Sequence, residues 1–278
     1  MVLKAKKIIP LDIPAPMTDV EEWLVVGIDP SLSRSGYALM EVSPAGQLTG
    51  FRWVKVGSVK PDDAKDPIWI RGKAMALYLR NQIVEVVEAM RLERPGRKIG
   101  LLISMEYPTP MNDFLVALNR TLHLVFFDTA DSNILPHRFD AIRVLTTNAA
   151  TLRSLMNLKM RGSANKKENI IRAYEYIKRE YWPQLDTDSC DAVLLAMMGV
   201  YTAEILLGHD YNVPERFKNS LCNSNKEVKG KGTRVRIITK GLLHRDEYWY
   251  PYAPKEYTLR VKDAANPKPG LKRENFIL

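Results

Sequence analysis

Four carboxylates stand where a chain puts groups that work together. Asp29 ends the apolar run "WLVVGID", and Glu106 ends "IGLLISME" just before a Tyr-Pro break. Asp188 and Asp191 open the long apolar run "DSCDAVLLAMMGVYTAEILLG". On a helix their i, i+3 spacing puts them on one face. Carboxylates about 4 Å apart repel by roughly 4 kcal/mol per pair at an effective dielectric of about 20. Such a group persists when divalent cations neutralise it, and an all-oxygen donor set selects Mg²⁺ or Mn²⁺ over zinc. Two such ions about 4 Å apart activate water and stabilise the leaving oxygen in phosphodiester hydrolysis. Each acid alone has an ordinary reading: a turn residue before Pro30, a solvated strand end, two helix-start acids. Asp186, close by, reads as a loop residue. The combination, in this order on these elements, points to a metal site.

The elements that must position these acids follow from hydrophobic period and turn chemistry. "WLVVGID", "GYALMEV" and "GFRWVKVGSV" read as three strands of an antiparallel meander, with turns at Pro44-Ala45-Gly46 and Gly50. A helix follows with Met75, Leu79, Ile83, Val87 and Met90 on one face, ended by "RPGRK". "IGLLISME" is then a buried strand, expected beside the first. "NDFLVALNRTLHLVFFD" reads as a helix, "RFDAIRVL" as a strand and "TNAATLRSLMNL" as a short helix. "KKENIIRAYEYIKREYW" reads as one amphipathic helix with Ile170, Tyr174, Ile177 and Tyr181 on one side. The last helix, beginning at Asp188, is apolar nearly all round and is therefore buried. Meander, helix, strand, helix, strand and helices make an α/β fold, a mixed five-stranded sheet with helices on its faces.

Three segments emerge: an irregular arm over 1–22, with prolines at 10, 14 and 16; the α/β domain over 23–208; and a basic extension over 209–278. In the extension "TRVRIITK", "EYWYPYA" and "EYTLRVK" read as short strands. The chain of 278 residues carries a net charge of +9. From Ser220 to Leu278 there are 13 Lys and Arg against 6 Asp and Glu. That concentration suggests a polyanion partner such as nucleic acid. Tyr248, Trp249, Tyr250 and Tyr252 lie within it, as small-core aromatics or as platforms for unpaired bases. Two cysteines, Cys190 and Cys222, form neither a disulfide framework nor a zinc site. His123, His137, His209 and His244 form no spaced pair. The N-terminus has no leader pattern and no run of 18 apolar residues occurs, so a cytoplasmic location without membrane spans is expected. Lys166 and Lys167 open a helix against its dipole, which a bound phosphate would compensate.

The ordered set "GIDPSLSRSGYALME", "LLISMEYP" and "DSCDAVLLAMM" resembles the RuvC-like branch of the RNase H-like superfamily. "RGSANKKENI" is similar to the family's G-x-A-x-K segment. The resemblance covers roughly residues 23–208. It departs at Ser31, where the family often has glycine, and gives no counterpart for the arm or the basic extension. It implies an RNase H-like fold and a Mg²⁺-dependent endodeoxyribonuclease of the Holliday junction resolvase type, working as a homodimer. Asp29, Glu106, Asp188 and Asp191 would hold two ions, with Mn²⁺ able to substitute. Lys166 takes the place of a lysine implicated in the family's catalysis. The apolar helix around Phe114–Phe127 is either dimer interface or core. Three other readings stay open. A nuclease of the same fold could act on other branched DNA or on replication or packaging intermediates. An actin- or sugar-kinase-type ATP-binding protein shares the first strand and turn, but a second glycine-rich phosphate loop is missing from the sequence. A non-catalytic nucleic-acid binder would have no need of the acidic set.

Overall fold

The computed structural model describes residues 20–45, 48–106, 113–127, 135–147, 149–158, 164–209, 213–221, 224–229 and 235–240. Three strands open the chain: β1 (Glu22–Asp29), β2 (Ser35–Ala45) and β3 (Leu48–Val59). The helix α1 (Ile68–Glu93) leads to β4 (Ile99–Glu106), and α2 (Asp113–Phe127) leads to β5 (Ala141–Thr147). Then come α3 (Ala149–Leu155), α4 (Ala164–Tyr176), α5 (Thr187–Leu206) and α6 (Glu215–Leu221). The main sheet has the order β3-β2-β1-β4-β5. Its β2 is antiparallel to β1 and β3, while β4 is parallel to β1 and β5. This mixed five-stranded sheet flanked by helices is the α/β arrangement expected from the sequence.

The alternation of side chains along the strands sorts the helices into two layers. Leu24, Val26 and Ile28 of β1 pack with Met75, Leu79, Ile83, Val87 and Met90 of α1 and with Leu118, Leu122 and Phe126 of α2. The five α1 positions are those its three- and four-residue spacing selects. Trp23 and Val25, on the other face of β1, pack with α5, with Leu152 and Leu155 of α3, and with Ala173 of α4. Buried on nearly all sides, α5 is the central helix of that layer. It is also the one described helix long and apolar enough to cross a membrane by length and composition. Between β2 and β3 the register slips at Leu39/Met40. Leu39 pairs with Lys55 and Met40 with Trp53, so Val54 is the extra residue of a bulge.

Two local features differ from the sequence reading. The helix expected over 166–182 ends at Tyr176 and is followed by a 3-10 turn, Arg179–Gln184. Tertiary hydrogen bonds account for the break. The Trp53 indole donates to the Tyr176 carbonyl (3.0 Å), and the Tyr181 hydroxyl donates to the Trp53 carbonyl (2.7 Å). Lys178 is extended between them. The buried stripe of α4 runs through Asn169 and Ala173 and continues to Ile177, with Ile170 and Tyr174 half-buried beside it. Secondly, the core does not stop at 208. Val213 and Phe217 are buried in the same cluster as α5, and the Phe217 ring lies 4.4 Å from that of Tyr201, centroid to centroid. Farther on, β6 (Ser224–Lys229) and β7 (Val235–Lys240) form an antiparallel pair, the second of them within the expected strand "TRVRIITK". The arm over 1–19, the expected strands at 247–253 and 256–262 and the Tyr248–Tyr252 aromatics lie outside the described residues.

Candidate metal centre

The sheet fixes the first two acids. In the parallel β1–β4 pairing Ile28 is opposite Met105, so Asp29 and Glu106 follow one step later at the same level. Neighbouring strands lie about 4.8 Å apart. On β1, residues 23 and 25 face the α5 layer, and period-two alternation puts Asp29 on that face. Leu102 of β4 faces the same layer, which puts Glu106 there too. Two neighbouring carboxylates thus leave the carboxyl ends of adjacent parallel strands on one side of the sheet.

Glycines bring the second pair of acids to that side. A Cβ on Gly27 would lie 2.1 Å from the Ala192 carbonyl oxygen and 2.5 Å from the Ala196 nitrogen. A Cβ on Gly36 would lie 2.0 Å from the Asp188 carbonyl oxygen. Since Gly36 is the cross-strand partner of Asp29, the first turn of α5 sits directly against the level of Asp29. Only residues without a side chain allow a helix backbone this close to a sheet. Asp188 and Asp191 therefore open α5 over the strand ends that carry Asp29 and Glu106.

Electrostatics link the acids. Burial pushes the Glu106 carboxyl above its ordinary value, the negative charge of Asp191 pushes it further, and Arg153 of α3 pulls it back. Asp191 accepts a hydrogen bond from Asn169 Nδ2 at 2.6 Å. Asn169 is only 5% exposed, and its Oδ1 is buried with no hydrogen-bond partner among the described residues. Asp188 Oδ2 lies 3.9 Å from Arg34 Nε, and both side chains are about one-third exposed. Asp29 is half-buried at the strand end. Lys166 lies in the first turn of α4, three residues before Asn169, at the end of α4 that meets α5. Lys167 beside it is exposed. His123, half-buried on α2, lies 5.9 Å from the Phe127 ring, and burial lowers its pKa.

Asp186, read from sequence as loop, is the N-cap of α5. Its Oδ1 accepts from the Ser189 N–H at 2.9 Å, and Ser189 Oγ accepts from the Asp186 N–H at 2.7 Å, a capping box. Its Oδ2 accepts from Ser58 Oγ at 2.6 Å and from Arg34 Nη1 at 2.9 Å. Burial raises the Asp186 carboxyl, but the hydrogen bonds from Ser58, Ser189 and Arg34 outweigh it and hold the pKa down at about 2. The sequence reading also did not single out Arg34, Asn169 or Arg153. Of these only Asn169 carries a signal, as an amide in a helix stripe otherwise filled by Ala173 and Ile177.

Asp29 and Glu106 share a level and a face and α5 opens over them, but the four acids do not form a closed coordination group. Among the described residues no three His, Cys, Asp or Glu side chains are gathered closely enough to hold one metal ion. The donor chemistry nevertheless suits a hard divalent cation: every carboxylate is an oxygen donor, and the Asn169 amide oxygen is a further one beside Asp191. The mutual charge that raises Glu106 is what a cation between Glu106 and Asp191 would reverse.

No family model matches the sequence, and no curated protein sequence matches it. Several solved structures are similar at low identity. Thermus thermophilus RuvC has 13% identity and a TM-score of 0.40, over 65% of this chain and 95% of that one. T. thermophilus RuvC in complex with Holliday junction substrate has 14% identity and a TM-score of 0.38, over 68% and 97%. The human cytomegalovirus terminase nuclease domain, Mn soaked, has 12% identity and a TM-score of 0.37, over 67% and 85%.

Proposed function

We propose that this chain is a divalent-metal-dependent endodeoxyribonuclease that acts on branched DNA, in its most specific form a Holliday junction resolvase. The observation that carries the reading is the meeting of two strand-end carboxylates, at one level on one face, with a helix that opens on two more. Asp29, Glu106, Asp188 and Asp191 would hold Mg²⁺ or Mn²⁺. When bound, the ions activate water and stabilise the leaving oxygen of a phosphodiester. The chain's own part is to hold the acids in place. The capping box fixes the start of α5, Asn169 orients Asp191, and the glycine seat sets the depth of Asp188. Lys166, at the site end of α4, is the candidate to meet negative charge on the scissile phosphate. The excess of Lys and Arg after Ser220 suits a DNA backbone.

Resolution of a four-way junction needs two symmetric nicks, and a two-fold dimer supplies two identical sites. The outer side of α2 offers Phe114 and Leu124, which are 58% and 66% exposed, while its inner side is committed to the core. A homodimer through α2 is part of the proposal. The test is cleavage of a panel of labelled DNAs (linear duplex, fork, three-way and four-way junction) with Mg²⁺ and with EDTA, alongside mass by light scattering. Opposed-strand cuts in the four-way junction by a dimer are expected. A monomer that nicks linear and branched DNA alike keeps the nuclease and removes the resolvase.

A further inference from the structure

The β1–β2 turn carries a cation into the acidic end of the molecule. Arg34 directly precedes β2, in a turn closed on itself: the Ser31 N–H donates to Ser35 Oγ at 3.0 Å, and Ser35 Oγ donates to the Ser31 carbonyl at 2.8 Å. Its guanidinium is fixed from the far side. Nη1 bonds Asp186 Oδ2 at 2.9 Å, and that carboxylate is itself held by the capping box and Ser58. Nε of the same planar group then lies 3.9 Å from Asp188 Oδ2. Nothing in this anchoring depends on Asp188. The positive charge therefore stands beside Asp188 whether or not that carboxylate turns to another cation.

We propose that Arg34 is a built-in counter-ion that competes with a divalent cation for Asp188 and weakens the hold of the site on that cation. This rests on the metal reading above. In the metal-free protein the guanidinium supplies the charge that the crowded acids lack. When a divalent cation reaches Asp188, the fixed Arg34 repels it, and the two partial effects oppose each other in metal affinity. A role limited to clamping the turn onto α5 has the opposite sign, because loosening the clamp would loosen the site and weaken metal binding.

The measurement is titration of the full chain with Mn²⁺ alone by calorimetry, without DNA, together with melting temperature in EDTA and in Mn²⁺. Arg34→Gln is expected to bind Mn²⁺ about threefold to tenfold more tightly than the wild type, as fits removal of one partly screened charge. It is also expected to melt lower in EDTA and to gain more from Mn²⁺. Lys73→Gln, an equal charge change at an exposed α1 position, is expected to stay within about twofold of the wild type. Unchanged or weaker Mn²⁺ binding by Arg34→Gln, or an equal gain in Lys73→Gln, overturns the role of Arg34 and leaves the nuclease reading standing. A wild type that takes up no Mn²⁺ overturns both. Should Arg34→Gln not fold because Asp186 is left unpaired, the comparison is made in an Asp186→Asn background. Asparagine keeps the cap there, and adding Arg34→Gln is again expected to tighten Mn²⁺ binding. No gain in that pair overturns the proposal equally.

Discussion

Glu106 shows what one buried carboxylate costs and what a metal would return. Burial and the charge of Asp191 both favour its protonated form in the folded chain. The folded state therefore binds this proton more tightly than the unfolded state does, and metal-free stability falls as pH rises out of the ordinary carboxyl range. Glu106→Gln is expected to flatten that fall and to raise the melting temperature in EDTA at pH 7, while abolishing cleavage. A thermal series from pH 4 to pH 8 in EDTA checks it, and an unaltered pH profile in the variant contradicts the linkage. Asp29→Asn should likewise abolish cleavage and leave the fold intact, read by Mg²⁺-dependent nicking and circular dichroism; wild-type cleavage by this variant removes Asp29 from the site. These acids were legible in the sequence because each closes or opens an apolar run whose period declares its element. The partners that tune them were not. Arg34 and Asp186 are 152 positions apart, and nothing local to either signals the ion pair. The Asp186 cap did have a local signal, an Asp followed three residues later by Ser189, but in sequence Asp188 is an equal claimant, and only the capping box separates them.

At the scale of elements, the seat of α5 decides whether the acids meet. Gly36 faces the Asp188 carbonyl and Gly27 the Ala192 carbonyl, both backbone atoms of a buried helix that cannot swing aside. Gly36→Ala must push the start of α5 off the sheet. A loss of several kcal/mol and of cleavage is expected, on the scale of overpacking in a close-packed core. Gly72→Ala is the contrasting case. Its added methyl would meet Leu118 Cδ1 at 3.4 Å, an ordinary contact, and alanine favours the interior of α1 by about 1 kcal/mol. It should raise the melting temperature by a few degrees, so that two Gly→Ala changes of opposite sign separate the tight seat of α5 on the sheet from the looser contact of α1 with α2. The strands, the meander and a mixed sheet with helices on its faces followed from period and turn chemistry, but these glycines did not announce their role. A glycine in a strand signals close approach of some backbone, not which one. The end of α4 at Tyr176 was equally hidden, because Trp53 and Tyr181, which fix it, lie 128 positions apart. At the far end of α5, Glu204 is buried, and with burial alone acting its pKa rises to about 7. A carboxylate in the last turn also meets the negative end of the helix dipole.

The boundary between the folded core and the basic extension bears on the whole molecule, because charge and core overlap in sequence. The composition shift falls after Gly208, yet Val213 and Phe217 are buried against α5, with Phe217 fully enclosed. A chain cut after Gly208 loses a buried aromatic, a change of about 3–5 kcal/mol when phenylalanine is merely truncated to alanine in a core. Its DNA binding would then report unfolding as much as charge. Cutting after Leu221 keeps that packing and still removes all 13 Lys and Arg and all 6 Asp and Glu of the last segment. The expectation is a protein with near wild-type melting temperature and weaker DNA binding. Counterion release gives the form of the change: the log of the affinity falls with log salt by about 0.9 for every phosphate the protein neutralises, so each phosphate left to its counterions flattens the slope by that amount. Binding to a labelled four-way junction, measured from 50 to 200 mM salt for both chains, reads intercept and slope together. A lower affinity with a shallower slope assigns the extension to the DNA backbone. A slope unchanged in the folded, shortened chain assigns the DNA backbone to the core domain alone, where Arg34 and Arg153 already stand at the acidic end.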